Sequence, residues 1–217
     1  GTHMITEMTP DGKLVAQWGD YGAEIGQLNR PSGIAFDNEG NLLIVNAMNH
    51  RVDRFSTKGQ FLQSIGSFGN GTEQLDMPWG IAVSDNGDIY VSDWHNKRVQ
   101  IFDRAGKHIR QIGGPGENDG EFIEPTGLAV DKNGDVFVAD KATNKVQLFN
   151  SDGAFVQKIT GDATLGKQAI DFLYSNPVAL RIREMTPLEP QKDLRGPTSV
   201  KVDSDNHVYI TDYASHR

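Results

Sequence analysis

The stretch from Asp93 to Gly114, "DWHNKRVQIFDRAGKHIRQIGG", places an imidazole, a carboxylate and two cations within six residues: Asp93, His95, Lys97 and Arg98. Groups of these types can build a metal or ligand site. They can equally build a turn, because Asp and Asn accept loop N–H groups and basic side chains fix neighbouring strands. One copy of the stretch cannot separate the two readings. The chain holds further copies, and their comparison decides which residues belong to a shared scaffold.

The elements that position these residues recur. Pro31 in "LNRPSGIAFD", Pro78 in "LDMPWGIAVS" and Pro125 in "FIEPTGLAVD" are spaced by 47 residues. The next match, Pro197 in "DLRGPTSVKVD", follows after 72, an excess of 25 over the period. Each copy continues with a turn ("DNEGN", "SDNGD", "DKNGD", "DSDNH") and an alternating run ("LLIVN", "IYVSD", "VFVAD", "VYITD"). After a polar loop come "RVDRF", "RVQIF" and "KVQLF", then "QFLQSIG", "KHIRQIG" and "AFVQKIT". These predict four short strands per repeat, joined by Gly/Asn/Asp hairpin turns. Four antiparallel strands every 40–50 residues describe one propeller blade per repeat.

The motifs "NHRV" (Asn49–Val52) and "NKRV" (Asn96–Val99) carry a resemblance. Weaker versions are "TNKV" (Thr143–Val146) and "SHR" (Ser215–Arg217), and the P-x-G-[I/L]-A stretches support them. The chain resembles the NHL-repeat β-propeller family. The resemblance covers nearly all of it outside the 25 extra residues. It implies an all-β fold: a propeller of four-stranded antiparallel blades, about four repeat equivalents, interrupted by a short, partly helical insertion. Gly1–Met4 reads as a cloning scar and is left out of fold reasoning, so the propeller domain is residues 5–217. Its register begins at a third strand and stops after a second. Two strands from each end would then complete one blade. Family propellers usually have six blades. The register therefore leaves three arrangements: a ring closed at four, an open piece of a six-bladed ring, or a ring completed between chains, which makes the incomplete terminal blades a route to homo-oligomers.

Aligning the repeats sorts the side chains. Asp93 matches Asn46, Asp140 and Asp212; Arg98 matches Arg51, Lys145 and Arg217. These are repeat positions, and the expected role is structural. His50 and His216 share a position too. His95 occurs once, matched by Met48, Ala142 and Ala214. Trp94 is matched by Ala47, Lys141 and Tyr213, and Trp79 by Ser32, Thr126 and Thr198. In a propeller the loops carrying these residues open on one face. Trp79, Trp94 and His95, with Tyr213 on another blade, are therefore the expected ligand or partner face; the alternative is that they cap blade ends. Lys201 stands where the repeat has Ala35, Ala82 and Ala129, and Ser199 where it has glycine, which marks a polar spot near the channel.

The insertion lies at about 163–192. Ala169, Ile170, Leu173 and Tyr174 have helical spacing, and Pro177 should break the helix. The segment is either a lid or docking element on the loop face, or a decoration.

Composition narrows the functions. There is no cysteine, hence no thiol nucleophile and no cysteine metal site. No apolar run approaches the roughly 18 residues of a membrane helix. The net charge of −8 argues against a nucleic-acid surface. The histidines outside the first four residues, His50, His95, His108, His207 and His216, do not fall where three ligands would converge, so neither a metal nor another cofactor is expected. No G-x-S-x-G, H-E-x-x-H or P-loop is present, and no catalytic residue is assigned. The glycine-rich "GGPGENDG" is a repeat loop, with counterparts "GDYGAEIG" and "GSFGNGTE". The expected function is a non-catalytic binding or scaffold propeller for a protein, peptide or small ligand. A metal-dependent lyase or lactone hydrolase is the alternative by resemblance. RNA binding through Arg51, Arg54, Lys97, Arg98 and Lys145 is the third reading. Cellular location is left open.

Overall fold

The structure, a computed structural model, describes residues 3–161, 175, 176, 181 and 193–213. The hairpin β1 (Ile5–Met8) and β2 (Leu14–Trp18) comes first. Three four-stranded antiparallel sheets follow. Blade I is β3 (Pro31–Phe36), β4 (Leu42–Asn46), β5 (Arg51–Phe55) and β6 (Phe61–Ile65). A short parallel pair, β7 (Ser67–Phe68) and β8 (Gln74–Leu75), leads into blade II: β9 (Pro78–Val83), β10 (Ile89–Asp93), β11 (Arg98–Phe102) and β12 (His108–Ile112). Blade III is β13 (Pro125–Val130), β14 (Val136–Asp140), β15 (Lys145–Phe149) and β16 (Phe155–Ile159). The hairpin β17 (Pro197–Val202) and β18 (Val208–Asp212) ends the described chain. Each blade is thus a meander whose strands lie in sequence order, as the 47-residue pattern predicts.

The second strand of each blade is buried along its whole length, because both of its faces meet protein. The fourth strands of blades I and II alternate half-buried and exposed residues before a buried final isoleucine, as outer strands should. The hairpin turns are Asx turns or start at Ser or Thr, as at Thr9, Ser56 and Ser84. Asp37 accepts the N–H groups of Glu39 and Asn41, and Asp131 those of Asn133 and Asp135. Asp203 does the same for Asp205 and His207 and also accepts the Tyr209 hydroxyl; these bonds hold its carboxyl down at about 2. This capping is why Asp and Asn recur at these turns.

The loop that joins one blade to the next is also repeat-encoded. Tyr21↔Leu28, Phe68↔Leu75 and Pro115↔Phe122 are equivalent parallel bridges. Leu28, Leu75 and Phe122 plug the loop and are fully buried. His3 belongs to this pattern as well. Its Nδ1 accepts the Arg30 N–H at 2.8 Å, as His50 Nδ1 accepts the Met77 N–H at 3.1 Å, and both histidines have φ near +54°.

Blades pack through apolar layers. Leu43, Val45 and Ile65 of blade I meet Ile81, Ile89 and Val91 of blade II. Tyr90, Val99 and Ile112 of blade II meet Leu128, Val136 and Val138 of blade III. Blade III then covers Val200 on β17. Each such side chain contributes about 1.5–3 kcal/mol when fully buried. The inner strands approach so closely that a Cβ on Gly33 would lie 2.8 Å from the Trp79 carbonyl, and one on Gly80 2.4 Å from that of Thr126. A Cβ on Gly127 would lie 2.4 Å from Ser199 Cα.

The two terminal hairpins do not join into one blade; they form separate two-stranded sheets. The packing accounts for this. β1–β2 lies against blade I through Ile5 and Trp18, whereas β17–β18 lies against blade III. The halves therefore sit at opposite ends of the row. The helical segment expected within 163–192 lies outside the described residues.

Gly127→Ala should cost roughly 1–3 kcal/mol of unfolding free energy, because backbone must move to accept the methyl. Gly114→Ala, where an added Cβ meets nothing within 4 Å, should be near neutral. Urea unfolding of the two variants checks this contrast.

Candidate functional site

The repeat-encoded polar residues are engaged inside the scaffold. Asp93 accepts the Asp76 N–H at 2.7 Å and the Arg98 Nε–H at 2.9 Å. Arg98 extends further to the carbonyls of Gly71 and Gln74, both at 2.9 Å. In blade III, Asp140 accepts the N–H groups of Ile123 and Glu124, while Lys145 Nζ reaches the Glu117 carbonyl at 3.1 Å. Asp212 accepts the Arg195 N–H at 2.8 Å. Arg217, the fourth basic position, lies outside the described residues. Each carboxylate and cation thus ties the incoming loop to the second and third strands. Burial pushes the Asp93 carboxyl up, against the opposing bonds from Asp76 N–H, Asn96 and Arg98.

Blade I builds the same clamp with its groups exchanged. Position 46 is an amide, and the carboxylate is on the third strand, at Asp53. Asn46 Nδ2 donates to the Gln27 carbonyl at 2.8 Å, and Asp53 accepts Arg51 Nε–H at 2.9 Å. In blade II it is Gln100 that donates to the matching carbonyl, of Gln74, and in blade III Gln147 donates to that of Glu121.

The non-repeat aromatics come together. Trp79 and Trp94 meet edge to face with ring centroids 5.6 Å apart, and His95 lies 4.8 Å from Trp94. Both tryptophans are half-buried and His95 is exposed. The guanidinium of Arg30 sits 5.3 Å over Trp79, a cation–π contact. At the other end Asp76 Oδ1 faces His95 Nδ1 at 3.4 Å and His50 Nδ1 at 3.2 Å. His50 in turn stands edge-on to the exposed ring of Phe68, at 4.6 Å. The result is a strip across the junction of blades I and II. Its centre follows from the alignment of the repeats. Arg30, Asp76 and Phe68 were not singled out from sequence. The signal was available for Arg30, which stands where the repeat has Met77, Glu124 and Gly196.

Trp79 also lines a cleft of about 280 Å³ on the inner strands, with Ser32, Gly80, Thr198, Ser199 and Lys201. Trp79 therefore joins the strip to the cleft. Tyr213 is highly exposed at the end of β18 and is not part of the stack; its N–H donates to the Gly196 carbonyl at 3.2 Å. Among the described residues, no three His, Asp or Glu side chains are placed to hold a metal ion. The basic residues at issue for RNA are internally engaged in part: Arg51 donates to the Ala23 and Glu24 carbonyls, and Arg54 pairs with Asp37 and bonds the Arg104 carbonyl.

A family model described as NHL repeat matches residues 194–217, and one described as a six-bladed β-propeller (DUF5128) matches residues 78–165. Both matches support the NHL-type propeller that the sequence resembles. No curated protein matches it. Solved structures share the fold at low identity. Virginiamycin B lyase from Staphylococcus aureus aligns with 97% of this chain and 57% of its own, at 14% identity and a TM-score of 0.63. A gluconolactonase from Xanthomonas campestris aligns over 98% and 63%, at 19% identity and a TM-score of 0.64. A protein of unknown function from Bacteroides thetaiotaomicron aligns over 98% and 52%, at 16% identity and a TM-score of 0.65. The chain thus spans somewhat more than half the length of these structures.

The exchanged clamp gives this scaffold an internal control. Asp93→Asn should cost about 3–5 kcal/mol by leaving Arg98 buried without its carboxylate. Adding Gln100→Asp recreates the Asn46/Asp53 arrangement and should return most of that loss. A double-mutant cycle in urea measures it, and additive losses would contradict the exchange.

Proposed function

We propose that this chain is a non-catalytic binding propeller whose loop face takes a protein, peptide or small ligand on the strip centred on Trp79, Trp94 and His95. One observation carries the reading. The repeat-encoded polar groups are consumed by the scaffold, while these three residues occur once each, stack on one another and keep part of their surface in water. Half-buried aromatics flanked by a cation, Arg30, and a carboxylate, Asp76, have the composition of interaction hot spots. The cleft beside Trp79, with Lys201 on its wall, supports an extension of the same site toward the channel. Tyr213 supports it only as an exposed aromatic on another hairpin.

The enzyme reading rests on the likeness to a lyase and a gluconolactonase. At 14% and 19% identity that likeness concerns the fold, and no residue described above favours catalysis over binding. RNA binding has less support still, since Arg51, Arg54, Arg98 and Lys145 are tied to loop carbonyls and carboxylates.

The test is a peptide and small-molecule screen read by tryptophan fluorescence, followed by titration of the Trp94→Ala and Trp79→Ala variants. The expected loss is about 2 kcal/mol or more, roughly 30-fold in Kd, with little change in Tm. A bound ligand whose affinity is unchanged in both variants would place binding elsewhere.

A further inference from the structure

Each blade turns a forward face to the next blade in the row. At the end of the strands opposite the strip, the junction of blades I and II is filled by long side chains. Arg54 pairs with Asp37 at 3.1 Å, donates to Gln63 Oε1 at 2.8 Å and reaches the Arg104 carbonyl of blade II at 2.7 Å. Asn38 Nδ2 donates to the Asp85 carbonyl at 2.9 Å, and a Cβ on Gly87 would lie 3.3 Å from Arg104 Cβ. One period on, at the junction of blades II and III, each of these residues is exchanged: Arg54 for Ile101, Asp37 for Ser84, Asn38 for Asp85 and Arg104 for Ser151. A cleft of about 290 Å³ lies there. Both blades that bound it are complete four-stranded sheets.

The cleft carries groups of both charges. Tyr90, 4% exposed, lines its buried side, where blades I and III have Leu43 and Phe137. Burial pushes the Tyr90 hydroxyl up, against the charge of Arg110, so it stays a neutral donor. Arg110 stands where the other blades have Gln63 and Gln157, and donates to the Ser151 carbonyl. Among the described residues it has no carboxylate partner, and Ser84 holds the position from which Asp37 pairs with Arg54. The exposed Lys132 ammonium and Asp85 carboxylate likewise make no hydrogen bond or ion pair among the described residues. Asp131, by contrast, is spent on its own turn: both of its oxygens accept bonds from Asn133. Asp88 gives one oxygen to Asn86 Nδ2, at 2.9 Å.

We propose that this cleft binds a free amino acid, its carboxylate on Arg110 and the Tyr90 hydroxyl and its ammonium on Asp85 and Asp88. A guanidinium without a carboxylate of its own is suited to take one from solution, through parallel N–H donors. Three carboxylates against two cations disfavour a plain anion, whereas a zwitterion meets both signs and brings no net charge. The volume falls just below the range of drug-sized pockets, which suits a molecule as small as an amino acid. The cleft lies at the other end of the strands from the aromatic strip, and its ligand does not depend on what the strip binds.

Isothermal titration calorimetry of the full chain with a panel of the common L-amino acids, at millimolar concentration, reads the result. At least one should bind. Its N-acetyl derivative, which lacks the ammonium, and its carboxamide, which lacks the carboxylate, should each bind at least about tenfold more weakly. Arg110→Gln should weaken binding to a similar degree. That variant takes the residue of blades I and III, and Gln63 makes the matching bond, to the Ala105 carbonyl at 2.7 Å, so Tm should hold. Ser151→Arg keeps a cation but restores the long side chain of the first junction, and should abolish binding by filling the cleft. Absence of binding by every amino acid would overturn the proposal. So would derivatives that bind as well as their parent, or wild-type affinity in either the Arg110→Gln or the Ser151→Arg protein.

Discussion

The closeness of the inner strands governs this structure. Where β3 meets β9, and β9 meets β13, there is no room for a Cβ at the P-x-G glycine. With that contact fixed, the rest follows geometrically. Alanine occupies the forward face two residues later, at Ala35, Ala82 and Ala129. The second strands are pressed between sheets and become apolar apart from Ser92 and their final Asp or Asn. Hydroxyls one residue before the glycine bridge the blades: Ser32 donates to the Trp79 carbonyl at 2.8 Å and Thr126 to that of Pro197 at 3.2 Å. At β17 Ser199 stands in the place of that glycine.

Polar residues hold the loops to this frame. One carboxylate pairs with one basic side chain in blades I and II, and in blade III Asp140 and Lys145 separately bond loop N–H and carbonyl groups that would otherwise be buried unpaired. The exchange between Asn46/Asp53 and Asp93/Gln100 shows what is constrained. A carboxylate and a basic side chain recur in each blade; the strand that supplies the carboxylate is not fixed. An alignment that scored each column alone would read Asp53 as a departure, although its bonds reproduce the clamp.

The fold was legible because it is written three times. Period, turn chemistry and strand alternation each pointed to blades, and the repeats fixed the register to the residue. The stack was legible for the converse reason: Trp79, Trp94 and His95 break the repeat at positions that loops bring to one face. Its flanks were not. Arg30 and Asp76 lie on opposite sides of a blade junction, and their contacts depend on the angle between sheets, which no local pattern encodes. The fate of the terminal hairpins was hidden similarly. Register says which strands could pair, whereas the packing of Ile5 and Trp18 on one blade and Val200 on another decides that they lie apart.

The position of the strip has a mechanical consequence. Arg30 belongs to the loop entering blade I, and Trp79 to the inner strand of blade II. Anything gripped by both straddles the seam between two sheets. It would behave as a staple: its binding energy adds to the work needed to pry the blades apart, by ordinary linkage. Stiffness at that seam and occupancy of the strip are then one quantity seen from two sides.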